Sequence, residues 1–243
     1  MTGSGLLICF ATVWEIRGVE STAELRKFTA LVVRGGWEGH CPVETTDSFL
    51  PFLEKSGYET VISDTLDIYL DADLMARTDL ILQCWTMGTI TAQQLAALRA
   101  AVEGGTGFAG WHGGIADAFR SSTDYLHMVG GQFACHPRNF VDHTVEVVPE
   151  RTDHPIVAGI SGVTLHTEQY WVLADSRNDV LVTTTVPALP GDPWTEPVVS
   201  PAVWTRTWGA GRVFVCTVGH KQEDLDVPEI RTIIERGLTW ASR

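Results

Sequence analysis

The side chains able to do chemistry in this sequence are His40, His112, His136, His166, His220 and Glu168. Imidazole changes its charge near neutral pH, and a carboxylate can join it as a base or as a metal ligand. The set therefore suits proton transfer or the binding of a cation. Three segments supply the setting: Gly35-Gly36-Trp37-Glu38-Gly39-His40, Cys84-Trp85-Thr86-Met87-Gly88 and Gly110-Trp111-His112-Gly113-Gly114. Glycine lets the backbone turn tightly and come close to a ligand, while an indole offers a flat apolar face with one polar N–H. Such a surface fits the face of a sugar ring. Trp37, Trp85 and Trp111 read equally as core residues capping a sheet edge, and their coincidence at one edge favours a pocket.

A Gly-x-nucleophile-x-Gly turn between a strand and a helix is an elbow that exposes one side chain at the top of a sheet, and here that side chain is His112. Histidine there serves as a general base, a metal ligand or a neutral donor, and is a poor substitute for a Ser or Cys acyl nucleophile. In His166-Thr167-Glu168 a strand would put the first and last side chains on one face. The distances between these residues give no metal signature, so a metal-free histidine pocket stands beside a divalent metal such as zinc on His40, His112 and His136. His127, His143 and His154 read as surface or capping residues. Arg206 is a candidate for orienting sugar hydroxyls, with a plain ion pair as its alternative.

The elements that must position these residues begin with the apolar run Phe28–Val33, ended by Gly35-Gly36 as a buried parallel strand would be. A helix near Val43–Lys55, strands at Tyr58–Ile62 and Asp79–Cys84, and an amphipathic helix over Thr91–Val102 follow. Thr91 is that helix's N-cap, and Gly104-Gly105 lie at its end. A fourth strand runs over Thr106–Trp111. Strands alternating with helices predict a parallel sheet covered on both faces, with ligands at the carboxyl ends of the strands. After Gly130-Gly131 come short β-rich pieces at His143–Val148, Val163–His166, Val180–Val186 and Ala202–Thr207. A returning central strand, Val213–Val218, and a closing helix, Glu229–Ala241, complete the chain. The expectation is one domain over residues 28–243 with a β-rich insertion, preceded by a loosely attached extension over residues 1–27.

The 243 residues are 44% hydrophobic and 19% charged, within the range of an ordinary globular domain. A formal net charge of −13 and the absence of any basic block argue against nucleic acid or an anionic membrane surface as partner. The apolar stretch Leu6–Trp14 lacks a preceding basic residue and is too short to span a bilayer. Five scattered cysteines without a C-x-x-C pair point to a reducing cytoplasm rather than a disulfide framework. A small molecule is the expected partner, and a second copy of the chain is left open.

The motifs together resemble the ThuA-like (trehalose utilisation) family, whose fold is related to class I glutamine amidotransferases. The likeness runs from about Phe28 to Ser242. It is carried by the three segments above together with Gly130-Gly131-Gln132-Phe133, His136-Pro137, His154-Pro155-Ile156, Glu168-Gln169-Tyr170, Trp204–Phe214 and Gly219-His220. The resemblance implies a flavodoxin-like sheet and a role in sugar catabolism beside dehydrogenases that make keto-sugars. Amidotransferases carry cysteine at the elbow where this chain has His112, so glutaminase chemistry is not expected; Cys84 and Cys135 sit on no such turn.

From residues and resemblance together, the expected function is an enzyme acting on a disaccharide or keto-glycoside by proton transfer beside a carbonyl, giving isomerisation or loss of the glycosidic group. His112 or Glu168 would be the base, and His40, His136 or a divalent metal would stabilise the enolate oxygen. Trp37, His40, Trp85, Trp111, His136, Tyr170, Arg206 and His220 are the expected substrate contacts. Two-carboxylate glycoside hydrolysis is disfavoured because the motif loops hold His, Trp and Gly. The rival from another class is a non-catalytic sugar-binding or regulatory domain on the same scaffold.

Overall fold

The computed structural model describes Met1 and residues 27–243. The extension expected over residues 1–27 falls almost wholly outside the described residues. Eleven strands occur in chain order: β1 (Phe28–Gly36), β2 (Tyr58–Ser63), β3 (Leu80–Thr86), β4 (Gly107–Trp111), β5 (Gly131–Cys135), β6 (Phe140–Val147), β7 (Gly162–Glu168), β8 (Trp171–Ala174), β9 (Asp179–Val186), β10 (Val198–Trp208) and β11 (Gly211–Cys216). Nine of them form one sheet in the order β2-β1-β3-β4-β11-β10-β9-β6-β7, and β5 pairs with β8.

The strands from β2 to β11 in that order run parallel. The rest pair antiparallel. The expected parallel sheet is thus the first half of a larger mixed one: of the later β-rich strands, β6, β7, β9 and β10 extend the same sheet, while β5 and β8 pair separately. Alternation along the strands builds two cores. Ala30, Val32, Leu80, Leu82 and Ala109 face one side, which is covered by the helices Leu50–Lys55 and Pro228–Ala241. Leu31, Val33, Ile81 and Phe108 face the other, under the helices Ala72–Arg77, Ala92–Glu103 and Thr123–Val129. Each fully buried Val, Leu, Ile or Phe among them contributes about 1.5–3 kcal/mol.

Two local differences from the sequence reading have plain causes. The helix near Val43–Lys55 is two helices, Pro42–Asp47 and Leu50–Lys55. Pro51 has no N–H to continue the first, so the chain restarts. Ala202–Thr207 is the middle of an eleven-residue strand. Its Pro201 is tolerated because the pairing with β9 shifts register there. Thr91 does cap its helix, its side chain accepting from Gln94 N while the Gln94 side chain accepts from Thr91 N.

The order reverses between β1 and β3, and the loops after β1, β3, β4 and β11 leave the same carboxyl edge. Edge strand β7 lies far from β4 in the strand order, yet its last residue, Glu168, reaches His112 and His220 at that edge. Among the described residues no helix is long and apolar enough to cross a membrane.

Candidate functional site

His112 stands on the elbow after β4, with φ 48° and ψ −140°, in a region that L-residues rarely enter. Its backbone N donates to Cys216 O at 2.6 Å, and its carbonyl accepts from Ala116 N at 2.9 Å. Neighbouring β11 and the short helix Gly113–Ala116 thus hold the strained turn. Nδ1 lies 2.8 Å from the carbonyl of Thr217. A carbonyl only accepts, so this nitrogen carries the proton, and Nε2 is the nitrogen that bears the lone pair when the ring is neutral.

His40 comes from the turn after β1. Its Nδ1 lies 2.9 Å from Thr86 Oγ1, which leaves Nε2 free to face inward. Its ring is 4.5 Å from that of His112 and 5.0 Å from that of His220, centroid to centroid. Gly113 makes this approach possible, since a Cβ there would lie 2.4 Å from His40 Cε1. His220 follows β11, and Glu168 ends β7. Glu168 Oε2 is 3.2 Å from His112 Nε2 and 3.3 Å from His220 Nδ1. One ligand atom from each of His40, His112, Glu168 and His220 lies within 4.8 Å of the other three.

Burial sets the charges of this group. Burial first, then the neighbouring charges of His112 and His220, push His40 down to about 3, so it is neutral near pH 7. Burial opposes ionisation of Glu168, but His112 and His220, which donate to it and attract it when their rings are protonated, outweigh that cost and hold its carboxyl well below the usual carboxylate range. Burial, then the carboxylates of Glu168 and Asp117, raise the Tyr170 phenol well above its ordinary value. Tyr170 therefore keeps its proton and donates it to His112 Nε2 at 2.8 Å.

A cavity of about 180 Å³ opens beside the cluster. It is lined by the polar residues His40, Glu168, His136, Asp117 and Arg120 and by Trp37, Met87, Phe133 and Tyr170. This volume is below the roughly 300–1,000 Å³ of pockets for drug-sized ligands, so it accepts one ring rather than a whole disaccharide. His136 is outside the four-donor group, with Nε2 3.5 Å from Glu168 Oε1 and a side chain 31% exposed at the rim. Of the expected metal set, His40 and His112 come together, and His220 and Glu168 take the place given to His136.

The remaining expected contacts lie elsewhere. Trp111 is buried against Phe49, ring centroids 4.7 Å apart, and has no face for a ligand. Trp85 packs over Gly35 and lines a separate cleft with Arg34 and Cys41. Arg206 is a structural ion pair, its Nη1 3.2 Å from Asp175 Oδ2 and 3.1 Å from Asn178 Oδ1. His166 is exposed and pairs with Asp142 at 3.0 Å. Burial pushes the Cys84 and Cys216 thiols up to about 12, so neither is a thiolate near neutrality. Met87, Asp117, Arg120 and Phe133 were not among the expected residues. Only the position of Asp117-Arg120 just beyond the elbow could have signalled them.

A family model described as trehalose utilisation, ThuA, matches residues 29–241. A putative ThuA-like protein from Bacteroides uniformis ATCC 8492 has a similar structure, with a TM-score of 0.70 and 18% identity, covering 90% of this chain and 93% of that one. A putative ThuA-like protein from Parabacteroides merdae ATCC 43184 gives 0.67 and 17%, with coverages of 89% and 90%. The cytoplasmic protein STM1381 from Salmonella typhimurium LT2 gives 0.62 and 14%, with coverages of 89% and 100%. No curated protein is significantly similar in sequence. At these identities the likenesses speak for the fold.

Proposed function

The chain belongs to the ThuA (trehalose utilisation) family, and from that premise we propose that it is a carbohydrate enzyme that moves a proton beside the carbonyl of a keto-glycoside, at a centre able to hold a divalent cation. The observation that carries the reading is the gathering of one ligand atom from each of His40, His112, His220 and Glu168 within 4.8 Å of one another. A cation held by His112 Nε2 would take the lone pair that the Tyr170 hydroxyl meets at 2.8 Å and so free that hydroxyl. With the rings neutral, a cation among such nitrogen and oxygen donors offsets their mutual repulsion. The outer nitrogens support this, because His112 Nδ1 on Thr217 O and His40 Nδ1 on Thr86 Oγ1 fix the rings as metal-binding histidines are usually fixed.

A bound divalent cation such as zinc would supply Lewis-acid stabilisation to the oxygen on which charge develops. With His112 and Glu168 serving as ligands, the base sought in them on sequence grounds passes to His136 at the rim. Its Nε2 takes the proton from the carbon beside the carbonyl, and Glu168 Oε1 at 3.5 Å steadies the resulting imidazolium. The Tyr170 hydroxyl hands its proton to the departing glycosidic oxygen, or His136 returns its proton to carbon in an isomerisation. Trp37 and Phe133 bracket the ring and exclude water. The strand order of the parallel half, β2-β1-β3-β4-β11, supports a flavodoxin-like, amidotransferase-related scaffold. The sheet running through both halves supports residues 28–243 as one domain.

The test is an assay of the zinc-loaded chain with trehalose and with its keto derivative. A keto group acidifies the neighbouring C–H, so the keto sugar should be consumed and trehalose left intact. Equal consumption, or none of either, would remove the proposal.

A further inference from the structure

The lining of the cavity includes a second polar group, Asp117 with Arg120. Asp117 is buried at 3% exposure and receives Arg120 at both oxygens, Nε to Oδ1 at 2.5 Å and Nη2 to Oδ2 at 2.7 Å. The Arg120 guanidinium lies over the Phe133 ring, 5.7 Å from its centroid. Phe133 in turn packs on Tyr170 at 4.4 Å, and Tyr170 reaches His112. One aromatic wall thus joins this pole to the histidine cluster.

The backbone around the pair is held in an unfavourable form. Met87 has φ 57° and Phe119 has φ 48°, although neither is glycine. Met87 N donates to Asp117 O at 3.0 Å, and Phe119 N donates to Met87 O at 3.2 Å. Two strained residues interlocked beside a cavity are a reason to look for function in what they position, which is Asp117 and Arg120.

A guanidinium has five N–H donors, and this carboxylate engages two of them. Each Asp117 oxygen keeps a further lone pair. The pole therefore presents donors and acceptors side by side with a net charge of zero, which matches vicinal hydroxyls that both donate and accept. It gives no reward to a phosphate or carboxylate, which Glu168 in the same lining would also repel.

We propose that Asp117 and Arg120 are a specificity-determining pair that reads adjacent hydroxyls of an uncharged sugar ring and rejects its carboxylated or phosphorylated counterpart. This rests on the carbohydrate reading of the cavity. The test is calorimetric titration of the zinc-loaded full chain, and of its Asp117→Asn and Arg120→Met variants, with methyl 3-keto-α-glucoside, glucuronate and glucose 6-phosphate. The unaltered chain should bind the keto-glucoside at least about tenfold more tightly than either anion, the order that one charge-assisted hydrogen bond supplies. Asp117→Asn should weaken the keto-glucoside about tenfold and strengthen both anions, because Arg120 is then unneutralised. Arg120→Met, at a half-exposed position that tolerates change, should weaken the keto-glucoside without gain for the anions, and it carries the test should Asp117→Asn not fold. Both variants should hold zinc as the unaltered chain does. Unchanged keto-glucoside binding in the variants, or an anion preferred by the unaltered chain, would overturn this pair's role and leave the proposed function standing. A zinc-loaded chain that binds none of the three would overturn both.

Discussion

Replacing His112 with alanine should lower kcat/KM on a keto-glycoside by at least about 10²-fold, because the cluster loses a ligand and with it the charge stabilisation of several kcal/mol that a bound cation would supply. The side chain is 2% exposed and links three things: the Thr217 carbonyl at Nδ1, and Tyr170 and Glu168 at Nε2. Alanine leaves the cluster one donor short and frees Tyr170 to turn away. His112→Asn, which tolerates a positive φ better, guards against the turn itself collapsing. Circular dichroism should show both variants folded. A non-catalytic sugar-binding domain predicts the opposite pattern, with no turnover in the unaltered chain and ligand affinity largely kept in the variant. Undiminished turnover in a folded His112→Ala protein would remove this residue from the centre.

The second large effect concerns Glu168→Gln. The amide has nearly the carboxylate's shape but no charge, and its NH₂ group cannot serve as a ligand. Glu168 is where His112, His220 and His136 meet, at 3.2, 3.3 and 3.5 Å. Changing an outer-shell partner typically costs about 10–100-fold in metal affinity. Loss of a ligand should cost more than that, as measured by competition for zinc with a chromophoric chelator. An affinity equal to that of the unaltered chain would show that the carboxylate is not a ligand.

The sequence discloses the parallel half well, because buried strands and a capped helix are written in local apolar runs and turn residues. It discloses the elbow too, since Gly110 and Gly113-Gly114 around His112 leave few other backbones. Trp37 and Trp111 sit in similar glycine-rich contexts, yet one lines the cavity and the other is core. Strand parity separates them: Trp111 shares a face of β4 with Ala109, which packs in the same core, whereas Trp37 lies one residue beyond β1. Arg206 could have been placed the same way, as it shares a face of β10 with Trp204 and Trp208. The left-handed turns at Met87 and Phe119 leave no trace in residue types, because tertiary hydrogen bonds impose them. The Asp117–Arg120 pole is therefore a product of folding that no motif announces. The contact of Glu168 with His112 likewise joins strands far apart in the sheet order, which no local motif announces.

The most direct test of the cation centre is a cobalt(II) titration of the full chain, purified without an affinity tag and stripped of metal by dialysis. Cobalt reports its ligand field in the visible spectrum and takes the same nitrogen and oxygen donors as zinc. The prediction is saturable binding of one ion per chain, with intense low-symmetry d–d bands that zinc abolishes by displacement. A spectrum that remains that of hexaaqua cobalt throughout the titration would contradict the account at its root.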